Sequence, residues 1–175
     1  MSTITVTAGH GGSDPGAVAN GVTERDLMTE LRDIVSGKLS SFGHKVRTDG
    51  MMRANLPLPY ALTLIPGSAI AIELHTNASD NELATGVEVI SLPGKADLSR
   101  KLAKSIASIL EIPLRGSAGW IDQAQSARGR LGYVMAGGII VETFFISNKA
   151  DLAAYEARKW LVASAIAKVL TEAVA

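Results

Sequence analysis

The chain has 175 residues, 47% hydrophobic and 19% charged, the balance of one ordinary globular domain. Its 17 Lys and Arg offset its 17 Asp and Glu, which argues against a nucleic-acid binder and against a polybasic membrane anchor. There is no cysteine, so disulfides, thiolate zinc sites, Fe–S clusters and a Cys nucleophile are excluded, and a transition-metal site must draw on Asp, Glu and the three histidines His10, His44 and His75.

The start, MSTITVTAGH, lacks a basic segment followed by an apolar core, so no signal peptide is read. No apolar run approaches the roughly 18–20 residues that span a bilayer. The expectation is a protein that stays in the cytoplasm of the cell that makes it.

Ser2 to Ala8 alternates, Ile4 and Val6 against Thr3, Thr5 and Thr7, as a strand does. Gly9 to Gly21 reads as a loop with five glycines and a proline. Thr23 can cap a helix whose first turn holds Glu24 and Asp26. Leu27, Leu31, Ile34, Val35, Leu39 and Phe42 recur at helical spacing, and Gly43 stops the helix. Lys45 to Thr48 reads as a short strand. Pro57 and Pro59 belong in the first turn of a helix through Ile65, with Leu58, Leu62 and Ile65 inward.

Ala69 to Thr76 is the clearest strand, with Ile70, Ile72 and Leu74 on one face and Ala71, Glu73 and His75 on the other. Gly86 to Leu92 reads as another. Asp97 to Leu110 is amphipathic, Ser117 to Leu131 loop-rich, and Ile139 to Phe145 a buried strand. Asn148, with Asp151 three residues on, opens a last helix carrying Leu152, Trp160, Leu161, Val169 and Leu170. His44 reads as an exposed turn residue. Strands alternating with helices imply an α/β fold with helices covering a central sheet, and sites in such folds form at strand ends.

Four residues at those ends carry chemistry. His10 lies among glycines, where the backbone can turn tightly and leave room for a ligand. The spacing is not that of a phosphate-binding loop. Glu24 has a plain structural reading, complementing a helix dipole. His75, alone, reads as a satisfied core histidine. Glu142 is harder to explain, because a carboxylate inside the run Ile139 to Phe145 is costly unless it is paired or protonated. Removal from water favours the neutral acid, which suits a group that takes and gives a proton near neutral pH. Together, two imidazoles and a carboxylate offer zinc three ligands and leave a position open, the catalytic arrangement.

The segments Gly9-His10-Gly11-Gly12, Asp14-Pro15-Gly16-Ala17, Asn20-Gly21 with Glu24, His75-Thr76-Asn77-Ala78 and Val141-Glu142 with Phe145-Ile146-Ser147-Asn148 resemble the zinc-dependent N-acetylmuramoyl-L-alanine amidases of the amidase-3 family. The resemblance runs in order along nearly the whole chain. It implies a single α/β catalytic domain over residues 1–175, with a central twisted mixed β-sheet flanked by helices on both faces and no separate wall-binding domain. It makes His10, Glu24 and His75 ligands of a Zn2+ ion and Glu142 the catalytic carboxylate. The substrate it implies is the peptidoglycan amide between the lactyl group of N-acetylmuramic acid and L-alanine. Glu73 and Asn77 become candidates for support of the metal or contact with substrate, and Arg128 and Arg130 for contact with stem-peptide carboxylates. Two places depart from the pattern: Thr7-Ala8 stands where many members have Asp-Pro, and Asp49 follows Thr48 where many have Arg. A short single domain without leader or wall-binding module resembles a phage endolysin acting on the wall after release, with a bacterial amidase made without its export signal as the other source; a monomer is the expectation for its oligomeric state. A zinc peptidase or deacetylase on another amide, and an inactive peptidoglycan-binding module, are the alternatives.

Overall fold

The computed structural model describes residues 1–126 and 129–175. Strands β1 (Thr3–Ala8), β5 (Ile70–Asn77) and β8 (Ile139–Phe145) are buried almost throughout. Strands buried on both faces belong at the centre of a parallel sheet. These three lie side by side there, parallel, in the order β4-β1-β5-β8-β6-β7. The edge strand β4 (Lys45–Arg47) is also parallel to β1. β6 (Glu88–Ser91) runs antiparallel to β8, and β7 (Trp120–Asp122) follows β6 in parallel, so the sheet is mixed.

Three long helices cover one face: α1 (Glu24–Ser41), α3 (Ala96–Leu110) and α5 (Lys149–Ala173). Ile4, Val6, Ile72, Leu74, Val89 and Val141 from the strands share a core there with Leu31, Leu102, Ile106, Val162 and Ile166. The opposite face carries two short helices, α2 (Leu58–Thr63) and α4 (Gly132–Met135). Ala61, Ile65, Tyr133 and Val134 pack there on Ala71, Ile90 and Ile140. Helices therefore flank both faces, but unequally, and the thinner cover leaves the row Glu73, His75 and Glu142 bordering cavities.

The alternation in β1 marks two buried faces rather than one wet face. Thr5 Oγ1 donates to the Leu64 carbonyl, Thr7 Oγ1 donates to the Tyr133 hydroxyl, and that hydroxyl donates to the Ile72 carbonyl. Buried hydroxyls thus find partners. A hairpin of β2 (Val18–Ala19) and β3 (Val22–Thr23) precedes α1. It turns through Asn20 and Gly21, both at positive φ, as the tightest hairpins require. Thr23 then caps α1, accepting the Asp26 N–H, and Asn148 caps α5, accepting from Ala150 and Asp151.

Several expectations need correction. Leu58 is exposed while Ala61 and Ile65 are buried, so the inward face of α2 begins one turn later. Phe42, Trp160 and Leu161 are exposed, and α5 instead turns Val162, Ala163, Ile166, Ala167 and Leu170 inward. His44 is half-buried, with Nε2 3.1 Å from the Thr171 hydroxyl. The segment Ser117 to Leu131 agrees with the loop-rich reading, its described residues carrying the short β7 and a 3-10 turn at Gln123–Gln125.

Candidate active site

At the end of β1 the chain enters a left-handed conformation at His10, φ 62°. A non-glycine residue holds that conformation only if its surroundings fix it. Asn55 supplies the fixing: its Nδ2 lies 2.9 Å from the Ala8 carbonyl, 3.3 Å from that of Gly9 and 2.7 Å from that of His10. Arg32, fully buried in α1, donates to Asn55 Oδ1 at 2.9 Å and to Asp49 Oδ1 at 3.2 Å. Asp49 in turn accepts the Ala8 N–H at 3.2 Å. Burial pushes the Asp49 carboxyl up to about 6 against the pull of Arg32. The two places where the chain departs from the pattern it resembles therefore meet: position 8 is not proline, so it has an N–H, and Asp49 satisfies it.

Glu24, the first residue of α1, is 1% exposed. Its Oε1 accepts the Thr76 N–H at 2.9 Å and lies 3.0 Å from His75 Nδ1. Its Oε2 accepts the Ala17 N–H at 3.0 Å and lies 3.1 Å from His10 Nε2. The helix N-terminus adds favourable dipoles to this negative charge. On their far sides the imidazoles meet two more carboxylates: His10 Nδ1 is 2.8 Å from Asp14 and His75 Nε2 is 2.9 Å from Glu73. Glycines make room. A Cβ at Gly9 would overlap the His75 ring, and one at Gly16 would stand 2.6 Å from His10 Cδ2 and 2.7 Å from Glu24 Oε2.

His10, Glu24 and His75 each offer a ligand atom, all within 4.8 Å of one another. His10 Nε2 is buried and close to Glu24, yet makes no hydrogen bond of acceptable geometry. A buried nitrogen aimed past its neighbour costs free energy unless something else satisfies it. Two imidazoles, each backed by a carboxylate and converging on a third, form a donor set suited to a zinc ion.

The electrostatics agree. The Glu24 carboxylate, 3.1 Å from Nε2, raises the basicity of His10 more than burial lowers it, and Asp14 adds to the rise. Burial opposes charge on His75, but Glu24 and Glu73, with the field of Glu142, hold it well above the usual imidazole range. Burial opposes charge on Glu24 too, yet the two imidazoles hold its carboxyl well below the usual range. Asp14 is lowered by its bond to His10.

Glu142 on β8 is the register partner of His75 on β5 and is 4% exposed. It borders a cavity of about 140 Å³ with Glu73, His75, Leu131 and Tyr133, and another of about 230 Å³ with Asn77, Glu88 and Arg115. On the other side of the histidines a cavity of about 420 Å³ runs along Gly11, Asp14, Leu56, Pro57 and Pro59. The four principal residues read from the sequence thus come together, and Glu73 lies against His75. Asn77 donates to Glu88 at 2.9 Å instead of reaching His75. Arg130 is exposed, and Arg128 lies outside the described residues. Missed were Asp14, Asn55 and the Arg32–Asp49 pair. The only hint of Arg32 was its place beside Leu31 on the apolar side of α1.

A family model described as N-acetylmuramoyl-L-alanine amidase matches residues 4–172. The N-acetylmuramoyl-L-alanine amidase LytC of Bacillus subtilis is 27% identical over 157 residues, covering 85% of this chain but only 30% of LytC. The uncharacterized protein YqiI of the same organism is 28% identical over 153 residues, 85% of this chain and 72% of YqiI. Among solved structures, a Neisseria meningitidis protein described as an N-acetylmuramoyl-L-alanine amidase superposes with a TM-score of 0.92 at 41% identity, over 99% of this chain and 96% of that one. The catalytic domain of CwlV from Bacillus (Paenibacillus) polymyxa shares the fold, with a TM-score of 0.82 at 20% identity over 99% and 98% of the two chains.

Proposed function

Since this chain belongs to the N-acetylmuramoyl-L-alanine amidase family, we propose that it hydrolyses the amide joining the lactyl group of N-acetylmuramic acid to L-alanine in peptidoglycan, with His10, Glu24 and His75 holding a zinc ion. The observation that carries this reading is the convergence of His10 Nε2, His75 Nδ1 and the Glu24 carboxylate on one point. A zinc ion held there supplies Lewis acidity, acidifying water and polarising an amide carbonyl.

The chain's own residues do the rest. Asp14 and Glu73 accept the N–H of His10 Nδ1 and His75 Nε2, which fixes the tautomers and leaves the other ring nitrogens as lone-pair donors. Glu24 adds the negative charge of the ligand set. Glu142 takes the proton of the attacking water and delivers it to the leaving amine nitrogen, so the C–N bond breaks to give a carboxylate and a free amine. Its place across from His75, in a nearly dry setting, keeps that proton from escaping to solvent.

Mass spectrometry of peptidoglycan digested by the purified protein tests the reading. Intact stem peptides beginning with L-alanine should appear, vanish with a chelator and return with added zinc. Products cut elsewhere in the stem, or cleavage indifferent to chelation, would overturn it.

A further inference from the structure

Beyond Glu142 the same face of the sheet carries polar side chains that amide hydrolysis leaves unused. Glu88 on β6 is the register partner of Glu142, so it leaves the sheet on the same side, one strand farther from His75. Its side chain is 12% exposed. Oε1 accepts from Asn77 Nδ2 at 2.9 Å and Oε2 from Arg115 Nε at 2.7 Å. The Arg115 guanidinium also lies over the Phe145 ring, 4.9 Å from its centroid, and Nη1 is 3.5 Å from the Thr85 carbonyl. Gly86 adopts φ +117°, and a Cβ there would stand 2.9 Å from Arg115 Cγ, so the arginine stem fills the space a side chain would take.

An arginine tied at Nε and stacked on a ring has lost its rotational freedom before any ligand arrives, which lowers the entropic cost of binding. Arg115 and Glu142 border the same cavity of about 230 Å³. The chemistry this suits is a planar carboxylate, which matches the guanidinium fork. A phosphate dianion would crowd the negative charges of Glu88 and Glu142. Two strand spacings of about 4.8 Å separate the line of His75 from that of Glu88, roughly 10 Å, which an extended peptide covers in about three residues.

We infer that Arg115 is a specificity-determining residue that binds a carboxylate within the first three residues of the stem peptide, and so selects acidic stems over amidated ones. The inference rests on the proposed reaction for its orientation, with the peptide running from Glu142 towards Arg115. Asn77 and Glu88 act as positioning residues that aim the guanidinium.

Calorimetry on the zinc-loaded protein tests it with two peptides blocked as C-terminal amides, L-Ala-γ-D-Glu-L-Lys-amide and the same peptide with the D-Glu α-carboxylate amidated, so that they differ in one carboxylate. The wild-type protein should bind the acidic peptide about tenfold or more tightly, a gap in the range of a lost charge-assisted bond. Arg115→Gln should bind the two alike, with melting temperature and zinc content at wild-type values. Arg115→Lys, which keeps the charge and loses the fork, should recover only part of the preference. Equal binding of both peptides by the wild-type protein would overturn the inference, whatever the fate of the variants, as would a preference that survives in Arg115→Gln. Discrimination between the peptides without cleavage of the corresponding muramoyl peptides would sink the proposed reaction and leave the carboxylate site standing.

Discussion

His75 and Glu142 are direct register partners on adjacent parallel strands, so the candidate ligand and the candidate proton carrier leave the sheet side by side. Their roles are separable. Glu142→Gln keeps shape and hydrogen bonding but cannot shuttle a proton. It should retain zinc at wild-type stoichiometry while kcat falls on the order of 10²–10⁴-fold. Turnover within a few-fold of wild type would remove Glu142 from the mechanism.

Asp14 orients His10 from outside the ligand set, through a 2.8 Å contact to Nδ1. Loss of such a partner weakens metal binding by about 10–100-fold. Asp14→Ala should show that loss in competition with a chelating dye, and an unchanged affinity would make Asp14 a bystander.

In the metal-free protein both candidate imidazoles are more basic than usual, His10 mainly through Glu24 and His75 through Glu24 and Glu73 against burial. Zinc must displace their protons, so its affinity should climb as pH rises above the ordinary histidine value of about 6.5 and level off once both rings are neutral. Glu24, held low, releases no proton there. The metal-free fold should show the opposite trend. Raised imidazole pKa values add stability that is complete below about 6.5 and fades as pH rises through the raised values. A zinc affinity flat between pH 6 and 9 would rule out imidazole ligation.

Asn55 ties three successive carbonyls around the left-handed His10. Replacing it with Leu removes the amide and leaves Arg32 short of an acceptor. The expected cost is about 1–3 kcal/mol, or a midpoint drop of roughly 2–12 °C for a domain of this size. Zinc affinity should fall with it. Normal affinity in a destabilised protein would mean that the clamp serves the fold alone.

Gly9→Ala sets a methyl group into the His75 ring. The far-ultraviolet circular dichroism should stay native while zinc binding is lost. Full zinc content would show that the ring can move without harm to the site.

Much of this was legible in the chain. β1 announces itself by the alternation of Ile4 and Val6 with threonines, β5 and β8 announce themselves as largely apolar runs, and Glu142 stands out because it interrupts one. Glycines around His10 and the order of the His, Glu and His blocks pointed to the candidate centre, where His10, Glu24 and His75 come within reach of one another. What stayed hidden was of two kinds. The hairpin strands β2 and β3 and the four-residue α4 are too short for any periodicity to register. Arg32, Asp49 and Asn55 become a unit only when α1 and the segment after β4 meet the end of β1, and no local pattern encodes that meeting. Trp160 and Leu161 were misleading because hydrophobicity alone does not give a helix its direction. Along α5 alanines share the buried stripe, and the two larger residues face outward.

The most direct measurement is anomalous diffraction at the zinc edge from crystals of the purified protein. One peak should stand where His10 Nε2, His75 Nδ1 and the Glu24 carboxylate meet, and it should disappear in His75→Ala. Zinc bound elsewhere, or no zinc at that point in fully loaded protein, would contradict the account.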